Sequence, residues 1–247
     1  MVGTGEIVDV IEEMNILSSV LREAGRKALQ LFADRDGRTV ETKSLGDFVS
    51  DADCRVELLI KNQIQENFPS EAVVGEEFGG KAGEVYWIVD PIDGTSNFLS
   101  GLPFWCISIA RISKGVPELG GVYAPALDIM ALGGPKYGFE MSGMLTGNSY
   151  RQAPCFGVGR NSNWEKWERH QFEEEVEAQG KNVVSYGSCA LSLMFVSMGM
   201  LSGYREDNLG GLWDCAGGVA LCRASGIPAW FEVNADGSVN VSAGSVR

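Results

Sequence analysis

Trp87-Ile88-Val89-Asp90-Pro91-Ile92-Asp93-Gly94-Thr95-Ser96-Asn97-Phe98 joins an apolar run to two carboxylates across a single turn. Tyr86 to Val89 reads as a buried strand that ends at Asp90, and Pro91, with no N–H to donate, stops it. Asp90 and Asp93 then share a sharp turn on which Gly94 is free to take an unusual backbone angle. Two carboxylates on one turn suit a hard divalent cation, which prefers oxygen ligands. The amides of Gly94 and Thr95 suit an anion such as phosphate. The same residues also suit an Asp-rich turn whose side chains cap their own backbone.

Upstream, Val73-Val74-Gly75 runs into a second acidic pair, Glu76-Glu77, which taken alone is an ordinary surface pattern. Before it, Asp47 to Asp53 lacks the glycine and the bidentate Glu of a calcium loop, and Asp51 or Asp53 reads as the N-cap of a helix from Ala52 to Asn67. The chain opens with apolar residues at steps of three and four from Ile7 to Leu31, the period of one long amphipathic helix, followed by a short strand from Thr39 to Lys43. Downstream, Phe104 to Leu132 reads as an antiparallel meander with turns at Lys114-Gly115 and Ala124-Pro125. The Gly-rich stretch Gly133 to Gly147 reads as a boundary between an N-terminal α+β part, 1–147, and a C-terminal α/β part, 148–247. In the second part strands at Cys155–Gly159 and Val183–Val184 alternate with helices at Trp164–Ala178, Ala190–Leu201 and Asp214–Ala224, and Asp214 reads as a helix cap.

Twenty Lys plus Arg against 33 Asp plus Glu leave a formal charge of −13, which argues against nucleic-acid and anionic-membrane partners. A hydrophobic share of 45% is that of a folded globule. No apolar run reaches the roughly 18 residues of a membrane span, and acidic residues near the start do not fit a signal peptide, so a cytoplasmic location is expected. The six cysteines form no Cys-x-x-Cys pair and read as reduced, buried side chains. His170, the single histidine, falls on a charged surface helix.

Four motifs in register give the chain a resemblance to the inositol monophosphatase family of the fructose-bisphosphatase-like superfamily. They are Asp47 to Asp53, Gly75-Glu76-Glu77, Trp87 to Phe98, and Trp213-Asp214 followed by Ala216-Gly217-Gly218. The resemblance implies an α+β fold, a layered α-β-α-β-α sandwich with an antiparallel sheet followed by a smaller mixed sheet, and a site where the two parts meet. It implies two or three Mg²⁺ ions: Glu76, Asp90 and the Ile92 carbonyl around the first, Asp90, Asp93 and Asp214 around the second, with Glu76 reaching an optional third. Thr95, paired with Asp53, would activate a metal-bound water, and the Gly94–Thr95 backbone would hold phosphate. The catalytic set is thus Asp53, Thr95 and Glu76.

By the same resemblance the substrate is a small polyol monophosphate, inositol monophosphate first, cleaved by in-line attack of that water. Histidinol phosphate is the alternative, and a catalytically silent interaction protein a weaker one. Asp93, Ser188, Cys189, Asp207 and Lys43 would line the substrate side with Gly94 and Thr95. The hydroxyl-binding glutamate of relatives stands seven positions before the second-motif aspartate. Asp207 occupies that offset here, and Glu206 fits only with a one-residue insertion before Leu212. Relatives pair as homodimers, and Leu102, Phe104 and Trp105 are the expected contact.

Overall fold

Met14, Leu17, Leu21, Ala24 and Ala28 fall on one face of a 30-residue helix, α1 (Thr4–Ala33), and bury that face completely or nearly so. A computed structural model describes the backbone of residues 4–34, 40–44, 47–143 and 154–244, and the side chains of 9–34, 51–143 and 154–244. A hairpin of β1 (Val40–Ser44) and β2 (Asp47–Ser50) leads into α2 (Asp51–Asn67), which lies against α1. Next come β3 (Ala72–Gly75), β4 (Val85–Asp93), the short α3 (Thr95–Ser100), β5 (Cys106–Ser113), β6 (Val116–Ala124), β7 (Ile129–Gly134) and β8 (Gly138–Gly143). These six strands form one sheet in sequence order, antiparallel except for the β3–β4 pair.

The rest of the chain runs β9 (Cys155–Val158), α4 (Lys166–Ala178), β10 (Asn182–Val184), α5 (Cys189–Ser197), β11 (Gly203–Leu209), α6 (Ala216–Ala224), β12 (Ala229–Val233) and β13 (Val239–Gly244). Its strands make a mixed sheet ordered β10-β9-β11-β13-β12. Helices α1 and α2 cover one face of the first sheet, α5 and α6 fill the space between the sheets, and α4 packs outside the second. The molecule is therefore an α-β-α-β-α sandwich. No described helix is long and apolar enough to cross a membrane.

Three sequence expectations change. Strand β4 does not stop at Asp90 but continues through Pro91 to Asp93, with a register shift against β5 between those two aspartates. The donor that Pro91 lacks falls within the irregularity, where no ladder bond is needed. The Gly-rich stretch contributes β8, whose Gly138, at φ 75°, closes a tight turn from β7. Helix α5 ends at Ser197 rather than Leu201, because Gly199 (φ 75°) terminates it: its N–H bonds to the Val196 carbonyl and that of Met200 to the Phe195 carbonyl.

Trp105 also lies elsewhere than on a contact surface. It is fully buried, with its ring 4.9 Å from Phe98 and 5.3 Å from Phe32. Of the three residues expected at a dimer contact, only Leu102 is strongly exposed.

Two adjacent glycines let helices approach both faces of β6. A Cβ on Gly120 would stand 2.4 Å from the Gly217 carbonyl oxygen of α6, and one on Gly121 would stand 2.6 Å from Leu21 of α1. Gly120→Ala therefore pushes against backbone that cannot turn aside, and should cost about 1–3 kcal/mol. A thermal melt should show a fall of roughly 2–4 °C for each kcal/mol.

Candidate active site

Four separate chain segments send carboxylates into one region. Asp53 stands in the first turn of α2, Glu76 follows β3, Asp90 and Asp93 end β4, and Asp214 closes a 3-10 turn before α6. Asp53, Asp90 and Asp93 are buried. Burial, followed by the charges of Glu76, Asp93, Asp214 and Asp53, holds the Asp90 carboxyl well above the usual carboxylate range. Asp214 is pushed up well above it too, by burial first and then by Glu76 and Asp93.

The local backbone explains each placement. Asp90 Oδ1 accepts the Ile92 N–H at 3.0 Å, which folds the carboxylate over the β4 irregularity. The Thr95 hydroxyl lies 3.0 Å from the Ile92 carbonyl oxygen and 3.3 Å from Asp53 Oδ1, so its single proton is offered to two acceptors. Gly94 takes φ 95°, a left-handed angle, and passes so close to its surroundings that a Cβ would stand 2.9 Å from the Phe104 carbonyl oxygen. Asp214 Oδ2 accepts the Gly211 N–H at 3.0 Å. Asp214 is therefore not the N-cap of α6 expected from the sequence, a position taken by Cys215; its carboxylate reaches back to the start of the 3-10 turn instead.

Asp93 binds the two halves of the chain together. Its Oδ2 accepts the Ser188 hydroxyl and the Ala190 N–H, both at 2.6 Å, and the Cys106 thiol at 3.6 Å, while Oδ1 accepts the Cys189 N–H at 3.2 Å. Burial raises the Asp93 carboxyl, and those donors pull it part of the way back. Ser188, the α5 N-cap, and Cys189 are thus brought to the site as partners of Asp93.

Glu206 and Asp207 part company. Asp207 is paired with Arg205, whose Nη2 and Nε lie 2.6 and 3.1 Å from its two carboxylate oxygens. Glu206 is buried, accepts hydrogen bonds from the Tyr204 hydroxyl and from Asn161 Nδ2 (3.0 Å), and feels the charge of Asp93; burial raises its carboxyl to about 7. The register of β11 against β13 shifts between Glu206 and Leu209, with Asn208 at φ 58°. Across that step β11 holds one residue more than β13, a β-bulge.

Lys43 lies on β1, and its side chain is outside the described residues. His170 sits on α4, largely exposed beside Glu173 and Glu174, away from the carboxylates. Residues that sequence reading passed over include Glu57, Cys106, Asn97 and Asn161. Asn97 Nδ2 donates to the carbonyls of Phe104 (2.6 Å) and Tyr186 (2.7 Å), tying α3 to the approach to α5. Only Glu57 had a sequence signal, since it stands one helical turn after Asp53.

All the converging donors are oxygen atoms, the chemistry that hard divalent cations prefer, and the groups that act most strongly on Asp90 are other carboxylates. Among the described residues no three His, Cys, Asp or Glu side chains stand at finished metal-ligand geometry, so the fold supplies neighbouring carboxylates rather than a closed ligand shell. Buried like charges without countercharge are costly, and divalent cations would offset that cost.

A layered sandwich with such a donor set beside a Gly–Thr turn is of the class of metal-dependent phosphatases. The inositol monophosphatase family model matches residues 10–240, and the chain belongs to that family. It is 41% identical to an uncharacterized protein of Sinorhizobium fredii over 95% of this chain and 85% of that one. It is 31% identical to inositol monophosphatase 3 of Solanum lycopersicum, over 83% and 81% of the two chains. The crystal structure of the extragenic suppressor protein SuhB of Bartonella henselae superposes with a TM-score of 0.82 at 27% identity, covering 95% of this chain and 94% of that one.

Raised carboxyl values make a stability prediction. The folded protein holds protons on Asp90, Asp93 and Asp214 that the unfolded chain releases near pH 4, so the metal-free fold loses stability as pH rises from there toward the raised values. Millimolar Mg²⁺ should therefore raise the melting temperature clearly at about pH 8 and little at about pH 5. Paired thermal melts check this.

Proposed function

We propose that the protein is a Mg²⁺-dependent phosphomonoesterase acting on a small polyol monophosphate, with inositol monophosphate the first candidate. The observation that carries this reading is the convergence of Asp53, Glu76, Asp90, Asp93 and Asp214, carboxylates brought from four segments beside the Gly94–Thr95 turn and near enough to raise the Asp90 carboxyl. Two or three divalent cations held by Glu76, Asp90, Asp93, Asp214 and the Ile92 carbonyl would supply a nucleophile at neutral pH and relieve charge on the phosphoryl and leaving oxygens.

The chain's own groups do the remaining work. Thr95 orients an attacking water by accepting a hydrogen bond from it while giving its own proton to Asp53. The amides of the Gly94–Thr95 turn hold the phosphate, and glycine admits without strain the left-handed angle that the turn takes at Gly94. Asp93, fixed by Ser188, Cys189 and Ala190, cannot swing away from the cations when substrate leaves. Glu206 rather than Asp207 is the group for a substrate hydroxyl, because Arg205 already engages Asp207 and strand alternation places Glu206 on the buried face with Tyr204.

A panel of inositol 1-phosphate, histidinol phosphate, fructose 1,6-bisphosphate and adenosine 3′,5′-bisphosphate, with and without Mg²⁺, tests the reading. Inositol 1-phosphate should be hydrolysed fastest, and only with the metal; turnover of none of the four would overturn the proposal. Asp214→Asn should lower kcat by two orders of magnitude or more with the circular-dichroism spectrum intact. Glu206→Gln should raise KM for the polyol substrate about tenfold, the scale of one hydrogen bond to a charged group, and change kcat far less. Steady-state kinetics separate the two.

A further inference from the structure

Helix α2 reaches the site at two places one turn apart. Asp53 faces Thr95, and Glu57, four residues on, is as deeply buried as Asp53, with 1% of its surface exposed. Glu57 Oε2 accepts the Glu77 N–H at 2.8 Å and its Oε1 the Phe78 N–H at 3.0 Å. These are the two residues directly after Glu76. On the other side Glu76 is held by its own N–H, which donates to the Val89 carbonyl at 3.2 Å, and Gly75 by a bond from its N–H to the Gly79 carbonyl at 3.0 Å.

We propose that Glu57 is a positioning residue that sets the backbone of the Glu76–Phe78 turn and thereby fixes where Glu76 is presented to the cation site. The inference rests on the functional reading above, in which Glu76 is a metal ligand. The turn needs such a partner. Without it these two successive, part-buried amides would lose their acceptor, and one carboxylate with two oxygens satisfies both. Gly75 is shaped to admit it, since a Cβ there would stand 1.9 Å from Glu57 Oε1, and the next two atoms it would meet belong to the same carboxylate. Because Asp53 and Glu57 project from one rigid helical face, α2 fixes the spacing between the Thr95 turn and the Glu76 turn.

A carboxylate that merely stabilised the fold would, when altered, lower the melting temperature and leave the cation affinity of the folded protein alone. A positioning residue moves that affinity. Glu57→Gln keeps the volume but presents one amide N–H where an acceptor is needed, and Gly75→Ala pushes on the carboxylate from the opposite side. Mg²⁺ binding is read by calorimetry and by displacement of Tb³⁺ luminescence, with the folded fraction set by circular dichroism, and the Mg²⁺ concentration for half-maximal activity is read in parallel. Both variants should bind Mg²⁺ about 10–100-fold more weakly, the usual range for groups that orient metal ligands. Asp53→Asn, by contrast, should lower kcat with Mg²⁺ affinity kept within about threefold. In the wild-type protein the Glu77 and Phe78 amides should be strongly protected from hydrogen exchange, a readout that stands even if Glu57→Gln does not fold. Unchanged Mg²⁺ affinity in either folded variant, or rapid exchange of those two amides, overturns the proposal alone. A wild-type protein that binds neither Mg²⁺ nor Tb³⁺ overturns the functional reading and this proposal with it.

Discussion

The carboxylate of Asp93 is the joint on which the molecule turns. It ends the unbroken buried run of β4 and receives the start of α5 through a hydroxyl and two amides. Helix α5 lies in the layer between the sheets and is buried along its whole length, so its position is set at one end by that carboxylate and along its sides by apolar packing. Cys106, opposite Asp93 on β5, adds a thiol to the same oxygen. Shift Asp93 and the relation between the two sheets shifts with it.

The cost of this design is electrostatic. Apolar packing brings β4, α2 and the turn before α6 together, and each carries an acid where they meet: Asp93 at the end of β4, Asp53 at the start of α2 and Asp214 at the end of the turn. The same burial that lends the core its stability raises the energy of the charged site. A chain of net charge −13 thereby places part of its acidity inside rather than only on the surface, where charge acts on solubility.

Much of this was legible in the residues. The period of α1, the alternation of the meander and the carboxylates at the ends of apolar runs all follow from local patterns, and the structure keeps them. Pro91 misled because a missing donor looks like a strand end, whereas a bulge absorbs it at no ladder cost. Trp105 misled because exposure of an aromatic cannot be read from its neighbours in sequence; its partners, Phe32 and Phe98, come from two different helices. Hydrogen bonds of Glu57, Asn97 and Asn161 reach residues as far as 90 positions away, mostly at backbone atoms, which carry no residue signature.

The bulge in β11 also separates one end of the strand from the other. Asn208 stands out of register at a left-handed angle, so β11 holds one residue more than β13 across that step, while Leu209 still pairs with Val239. Tyr204 and Glu206 keep the regular alternation before it and are both buried, and the turn that bears Asp214 follows after it. The two acids are thus carried on backbone stretches with separate registers.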